Sequence, residues 1–327
     1  MRAVEEPLAR PVAADRPMPP HAPVGGRMRR LLGRFYVTGS FWYRFHLWGI
    51  SVLPRWGVVL FTVFFTTFFF VVLRRIRRAI ASNLEAPLGP CGWLTRQRRI
   101  FRTMWNFAWC QTERYEQMVT ERRVEVTLEG REHFERCLEA DDGMVLVTAH
   151  IGHWEVGSMT VSSEHMRHVH VVREDEMDPR AQEFVSELLV GRRRERYTVH
   201  FSEEPTRLGV TLLAALRRGE VVAVQGDRPR TGTRTQESTL FGRPIELPAG
   251  PAVLGRTAGA PLLPIFVFRE GRQRARVIAR PPIRVSQTQD RQRDLAEAVD
   301  RIAAEVEAAI RTDPYQWFCF RELWPKA

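Results

Sequence analysis

The chain has 327 residues and 44% hydrophobic content, enough for a substantial core in one large domain or two small ones, and this excludes a disordered chain. A formal net charge of +11 implies an acidic partner, whether anionic lipid headgroups, an acidic carrier protein or nucleic acid. Arginine supplies almost all of that charge, because Lys326 is the only lysine; a P-loop nucleotide site, a pyridoxal Schiff base and a lysine nucleophile, each needing an internal lysine, are thereby excluded.

Residues 1–30 carry Pro7, Pro11, Pro17, Pro19, Pro20 and Pro23 among few large apolar residues and read as a disordered lead. Glu5, Glu6 and the lack of an apolar h-region argue against a signal peptide. Residues 31–82 read as a membrane-anchoring region around a hydrophobic helix at 56–73, WGVVLFTVFFTTFFFVVL. At ~1.5 Å per residue that uncharged run reaches ~27 Å, close to a hydrocarbon core of ~30 Å. Arg74, Arg75, Arg77 and Arg78 follow at once and place the remainder on the cytoplasmic side of the inner membrane, although Arg27, Arg29, Arg30 and Arg34 weaken the asymmetry. Trp42, Tyr43, Trp48 and Trp56 suit an aromatic belt, so a spanning helix and one inserted in a single leaflet both fit.

Residues 83–327 alternate helices with short apolar strands, as expected of one α/β domain with a mixed central sheet flanked by helices. The pattern predicts a helix at 96–118 and strands at 122–128, 144–149 and 169–173. A helix at 206–218, a strand at 221–225, strands at 262–268 and 276–278, and a last helix at 291–311 follow. In the last helix Leu295, Val299, Ile302, Val306 and Ile310 share a face at helical spacing.

The segment 144-MVLVTAHIGHWEVGS-158 holds the candidate chemistry. Its apolar run reads as a parallel strand buried on both faces, with Gly152 permitting a sharp turn beyond it, so His150 sits at a strand's carboxyl end where open α/β sheets gather their sites. Glu155 stands five positions on and can meet His150 only if the histidine lies on the turn and the acid on the first turn of the next helix. The strand at 221–225 ends in the same way, at Gly226, Asp227 and Arg228. Cys91, Cys110, Cys137 and Cys319 show no C-x-x-C spacing and read as reduced thiols. His150, His153, His165, His168 and His170 fall close enough together to raise a zinc hydrolase as an alternative, but no HExxH or cysteine pair accompanies them. The arginines follow no helix-turn-helix or RNP pattern, so no nucleic-acid partner is expected.

Five ordered blocks carry a resemblance to a known family. They are Arg78 to Leu84 as R-x4-NL, the AHIGHWE turn, the VVRE strand end, 226-GDRPR with 240-LFGRPIELPAGPAVLGRTAGAPLLPIF-266, and the closing 313-DPYQWFCFRELWP-325. Together they resemble the bacterial lipid A biosynthesis lauroyl and myristoyl acyltransferases, a signature shared by the phosphatidylinositol mannoside acyltransferases. His153 departs from the pattern, since many relatives carry asparagine there.

The resemblance implies a glycerolipid acyltransferase-like fold and transfer of a fatty acyl chain from acyl carrier protein or coenzyme A to a hydroxyl of a membrane glycolipid such as a lipid A precursor. No metal or redox cofactor is implied. His150 would be the general base, oriented by Glu155 or, as the mannoside enzymes suggest, by Asp227. Arg173, Arg228 and Arg193, the last within the run Arg192 to Arg196, would bind phosphate on the carrier arm or the lipid. Gly250 with Pro251 would shape the wall of an acyl channel.

Overall fold

Met144, Val145, Leu146 and Val147 are almost completely buried because the strand they form divides its side chains between two hydrophobic layers. In the computed structural model, which describes residues 40–119, 124–139, 143–154, 167–173, 197–201, 205–229 and 233–324, that strand lies within a seven-stranded sheet. The strands are β1 (Glu125–Glu129), β2 (Met144–Thr148), β3 (Val169–Arg173), β4 (Tyr197–Phe201), β5 (Val221–Gln225), β6 (Thr235–Leu240), β7 (Arg243–Pro248), β8 (Leu262–Arg269) and β9 (Arg274–Ala279). The sheet has the order β1-β9-β8-β2-β5-β3-β4, with β6 and β7 apart as a hairpin. From β8 to β4 all neighbours are parallel, while β1 and β9 run together and oppose the rest. This is the expected mixed sheet, and parallel neighbours bring successive carboxyl ends to one edge.

The helices are α1 (Ser40–Val52), α2 (Arg55–Val72), α3 (Arg74–Leu88), α4 (Trp93–Val119), α5 (Arg131–Glu139), α6 (Pro205–Arg217), α7 (Gly250–Ala258) and α8 (Arg291–Thr312). On one face of the sheet Val145 and Val147 pack with Leu212 of α6, Leu254 of α7 and Ile302 and Val306 of α8. On the other, Met144 and Leu146 pack with Phe134 and Cys137 of α5. A strand covered on both sides needs no polar alternation, which is why its sequence is continuously apolar. The expected inner face of α8, Leu295, Val299, Ile302, Val306 and Ile310, is buried throughout, and the Asp290 carboxylate caps the helix by accepting from the Arg293 backbone N–H at 3.0 Å.

Among the described residues α2 is the one helix long and apolar enough to cross a membrane. It uses its faces differently. Gly57, Val58, Thr62 and Thr66 are buried, and Phe61 packs tilted against Phe45 of α1 and Phe70 edge-on against Phe101 of α4 at centroid distances of 5.5 and 5.6 Å. Trp56, Leu60, Phe64 and Val71 are more than half exposed, an apolar surface of the kind that marks contact with lipid or another protein. α3 runs continuously through positions 82 and 83, across the boundary expected there, and the lead at 1–30 lies outside the described residues.

Four helices, α1, α3, α5 and α7, with β4 and the β6–β7 hairpin, were not distinguishable from their patterns. The hairpin shows why: its two-residue turn places Phe241 and Gly242 at φ 54° and 69°, a geometry announced by Asn-Gly or Asp-Gly, and Phe-Gly carries no such signal.

Candidate active site

β2 and β5 are paired in parallel with Thr148 opposite Gln225, so the two chains leave the sheet side by side. The Gly226 N–H donates to the Thr148 carbonyl at 2.8 Å, which holds the two exits together. This register brings His150 and Asp227 within bonding distance although they are distant in sequence. His150 Nδ1 lies 2.8 Å from Asp227 Oδ1. A carboxylate only accepts, so Nδ1 carries the proton and Nε2 is left as the basic nitrogen of the ring. Arg173 ends β3, the other neighbour of β5, and thus joins the same edge.

The Asp227 carboxylate is fully buried, with its second oxygen accepting from the Trp317 indole Nε1–H at 3.2 Å. Burial alone would push its pKa up. The charge and hydrogen bond of His150, the charge of Arg228 and the Trp317 bond reverse that, holding the carboxyl well below the ordinary aspartate value. Arg228 does not pair with Asp227 directly but donates from Nη1 to the Phe318 carbonyl at 3.0 Å.

The turn carrying His150 is built tightly. The Gly152 N–H donates to the Gln316 carbonyl at 3.0 Å, the His153 N–H to Val267 and the Phe318 N–H to the His150 carbonyl at 2.8 Å. Gly152 has φ +50°, and a Cβ there would stand 2.2 Å from the Val267 carbonyl oxygen, so only glycine fits. His153 points away from His150 and bonds the buried Glu113 of α4 at 2.8 Å, and Arg269 grips the same carboxylate at 2.8 Å. Burial raises the Glu113 pKa, but the bonds from His153 and Arg269 more than offset it and keep the carboxyl ionised.

Beside His150 opens a cavity of about 490 Å³. Its walls come from Phe61, Phe65 and Phe69 of α2 and from Met104, Ala108 and Tyr115 of α4, with Trp154 and Phe318 near the histidine. Arg114, Arg173 and Arg228 supply positive charge to the lining. The His46 imidazole, also on the wall, bonds Thr112 Oγ1 at 3.0 Å, and burial lowers its pKa to about 4, so it is uncharged near neutrality. An apolar cleft with a few convergent polar groups, a histidine–carboxylate pair at its mouth and cationic groups alongside can hold a hydrocarbon chain, take a proton from a bound hydroxyl and pair with an anion.

Of the residues expected at the site, His150, Asp227, Arg173 and Arg228 come together; Glu155 and Arg193 lie outside the described residues. Gly250 is elsewhere. It is the exposed first residue of α7, where the chain passes from the hairpin into a helix, and is not among the residues that line the cavity. His168 and His170 are committed to other partners, Thr198 at 2.7 Å for the first, and His200 and Glu220 at 2.8 Å each for the second. Trp317, Phe318 and the aromatic stripe of α2 were not expected at the site. The stripe was legible as Phe61, Phe65 and Phe69 at i, i+4 spacing, but an all-apolar helix hides which face turns inward.

The family model described as bacterial lipid A biosynthesis acyltransferase matches residues 28–326. Two curated relatives, the phosphatidylinositol mannoside acyltransferases of Mycobacterium tuberculosis strains CDC 1551 / Oshkosh and ATCC 25618 / H37Rv, are each 29% identical over 156 residues. The aligned stretch is 46% of this chain and 46% of each relative, so the match spans about half of their length.

Proposed function

Since the chain belongs to the bacterial lipid A biosynthesis acyltransferase family, we propose that it is a membrane-bound O-acyltransferase that moves a fatty acyl group from a thioester, on acyl carrier protein or coenzyme A, to a hydroxyl of a membrane glycolipid. The observation that carries this reading is the His150–Asp227 pair at the mouth of an apolar cavity. His150 Nε2 takes the acceptor hydroxyl proton as the oxygen attacks the thioester carbonyl. Asp227 holds the ring in the Nδ1–H tautomer and stabilises the imidazolium. The C–S bond then breaks, and the proton held on Nε2 passes to the leaving thiolate. Arg173 and Arg228 bind the anionic part of donor or acceptor. The thioester is the only co-substrate that this scheme requires.

The exposed apolar face of α2 seats the protein in the inner membrane from the cytoplasmic side and brings the cavity to the depth of its lipid substrates. The 29% identity to phosphatidylinositol mannoside acyltransferases favours a mannosylated phosphoinositide over a lipid A precursor as acceptor. The test is acyl transfer by the purified full chain in mixed micelles, with acyl carrier protein and coenzyme A donors and with both acceptor classes, read by mass spectrometry. Transfer to a glycolipid acceptor supports the reading; hydrolysis of donor alone, or no turnover with any pair, overturns it.

The dimensions of the cavity support a further reading, of the acyl chain's length. Its lining runs from Phe61 of α2 to Leu73, the residue that caps that helix, and along α4 from Met104 to Tyr115, or ~16–18 Å at ~1.5 Å per residue. Carbon–carbon bonds of ~1.5 Å at ~111° advance ~1.25 Å each, so an extended chain of ~14 carbons fills that length. Ala108→Phe, which puts a ring into the α4 wall, is expected to shift the preferred donor to shorter chains. Each methylene left outside forfeits ~0.8 kcal/mol, about fourfold in kcat/KM. An unchanged chain-length profile would place the acyl group elsewhere.

A further inference from the structure

The closing segment 316-QWFCF-320 is bonded to the site at every point where the site could loosen. Its backbone pairs with the His150 turn through Gly152 N–H to Gln316 O at 3.0 Å and Phe318 N–H to His150 O at 2.8 Å. Its Phe318 carbonyl receives Arg228, and the Trp317 indole donates to Asp227 Oδ2. The segment is itself anchored on α3, where the buried Asn83 side chain donates to the carbonyls of Cys319 at 3.1 Å and Arg321 at 2.8 Å and accepts from the Leu323 N–H at 3.1 Å. Asn83 and Trp317 thus belong to two sequence blocks, R-x4-NL and the aromatic terminus, to which the proposed mechanism gives no task.

We propose that Trp317 is a positioning residue for acyl transfer. Its N–H fixes the plane of the Asp227 carboxylate, so that Oδ1 stays in line with the His150 Nδ1–H and the ring is held in its working orientation. The inference rests on the His150–Asp227 reading of the site. The chemical argument is one of donors and acceptors. An indole N–H only donates, so whichever Asp227 atom faces it must accept, and in a fully buried pocket no water is at hand to replace a missing partner. Trp317 is 2% exposed and packs into the main core, so the ring contributes stability as well, and only the N–H is assigned the positioning role.

Trp317→Phe keeps an aromatic ring and removes the donor. In the full chain it is expected to lower kcat about 10- to 100-fold, the range for one hydrogen bond to a charged group, with KM for donor and acceptor within about twofold. A role confined to packing would lower the unfolding temperature and leave kcat per folded molecule unchanged. A second arm separates the two further. In an Asp227→Asn background the indole forces the amide oxygen towards itself and the amide NH2 towards His150, and Trp317→Phe releases that constraint. There the substitution is expected to leave kcat unchanged or raise it. Equal losses in both backgrounds, or no loss of kcat in the otherwise native chain, would overturn the proposal. If Trp317→Phe does not fold, the isosteric benzothiophene analogue of tryptophan at position 317 removes the N–H without altering the packing and carries the same two expectations. These outcomes are separable from failure of the underlying reading, which would show as normal turnover after replacement of His150.

Discussion

His150→Ala is expected to lower kcat about 100- to 10,000-fold, the span of general-base catalysis, with the fold and membrane attachment retained. The fold should survive because the turn is held by backbone groups that alanine keeps. The His150 carbonyl accepts from Phe318, and Gly152 and His153 donate to Gln316 and Val267. The ring itself is partly open to the cavity, with a side-chain exposure of 16%, so water can occupy the space it leaves. Asp227 loses one partner but keeps Trp317 and the nearby charge of Arg228. The measurement is turnover of the purified variant beside its circular dichroism and unfolding temperature. A variant that is folded and still transfers acyl groups at near-normal rate would remove the proton-transfer step assigned to this ring.

The position of His150 could be read from the sequence because β2 is covered on both faces, which leaves no polar residue between Met144 and Val147 and makes its end conspicuous. β5 is legible for the same reason, and its end at Asp227 was marked as a second polar site. The partnership between them was not fixed by spacing. Glu155, five residues from His150, was open as an alternative partner and lies outside the described residues. Asp227 reaches the ring through the alignment of Thr148 with Gln225, a relation between two strands that no local pattern encodes. The cavity was hidden for a related reason. The run at 56–73 is so uniformly apolar that its exposed and cavity-facing sides look alike, and only the packing of Phe61 and Phe70 against α1 and α4 distinguishes them. One consequence is that deleting residues 1–78 removes a cavity wall along with the proposed anchor, so loss of activity in such a truncation would not by itself report on membrane attachment.

Asp227→Asn is expected to cost more than any other single-atom exchange in the protein, on the order of 10,000-fold in kcat, by reversing the imidazole tautomer. Both carboxylate oxygens accept, Oδ1 from His150 and Oδ2 from Trp317. An amide can accept on one side only. With the donor-only indole holding the oxygen, the NH2 faces Nδ1, which must then be unprotonated, and the proton moves to Nε2, where the base is needed. The substitution also changes how stability depends on pH, and the sign follows from the lowered pKa. A carboxyl held below its unfolded value of ~3.9 binds its proton later than the unfolded chain does. Its contribution is therefore complete above about pH 4 and is lost as the pH falls through the lowered folded value. Asparagine has no such contribution at any pH. The gap in unfolding free energy between native chain and variant should accordingly narrow below about pH 4. A gap that does not narrow below about pH 4 would mean that Asp227 is already protonated in the folded protein, and a neutral carboxyl could not stabilise the imidazolium.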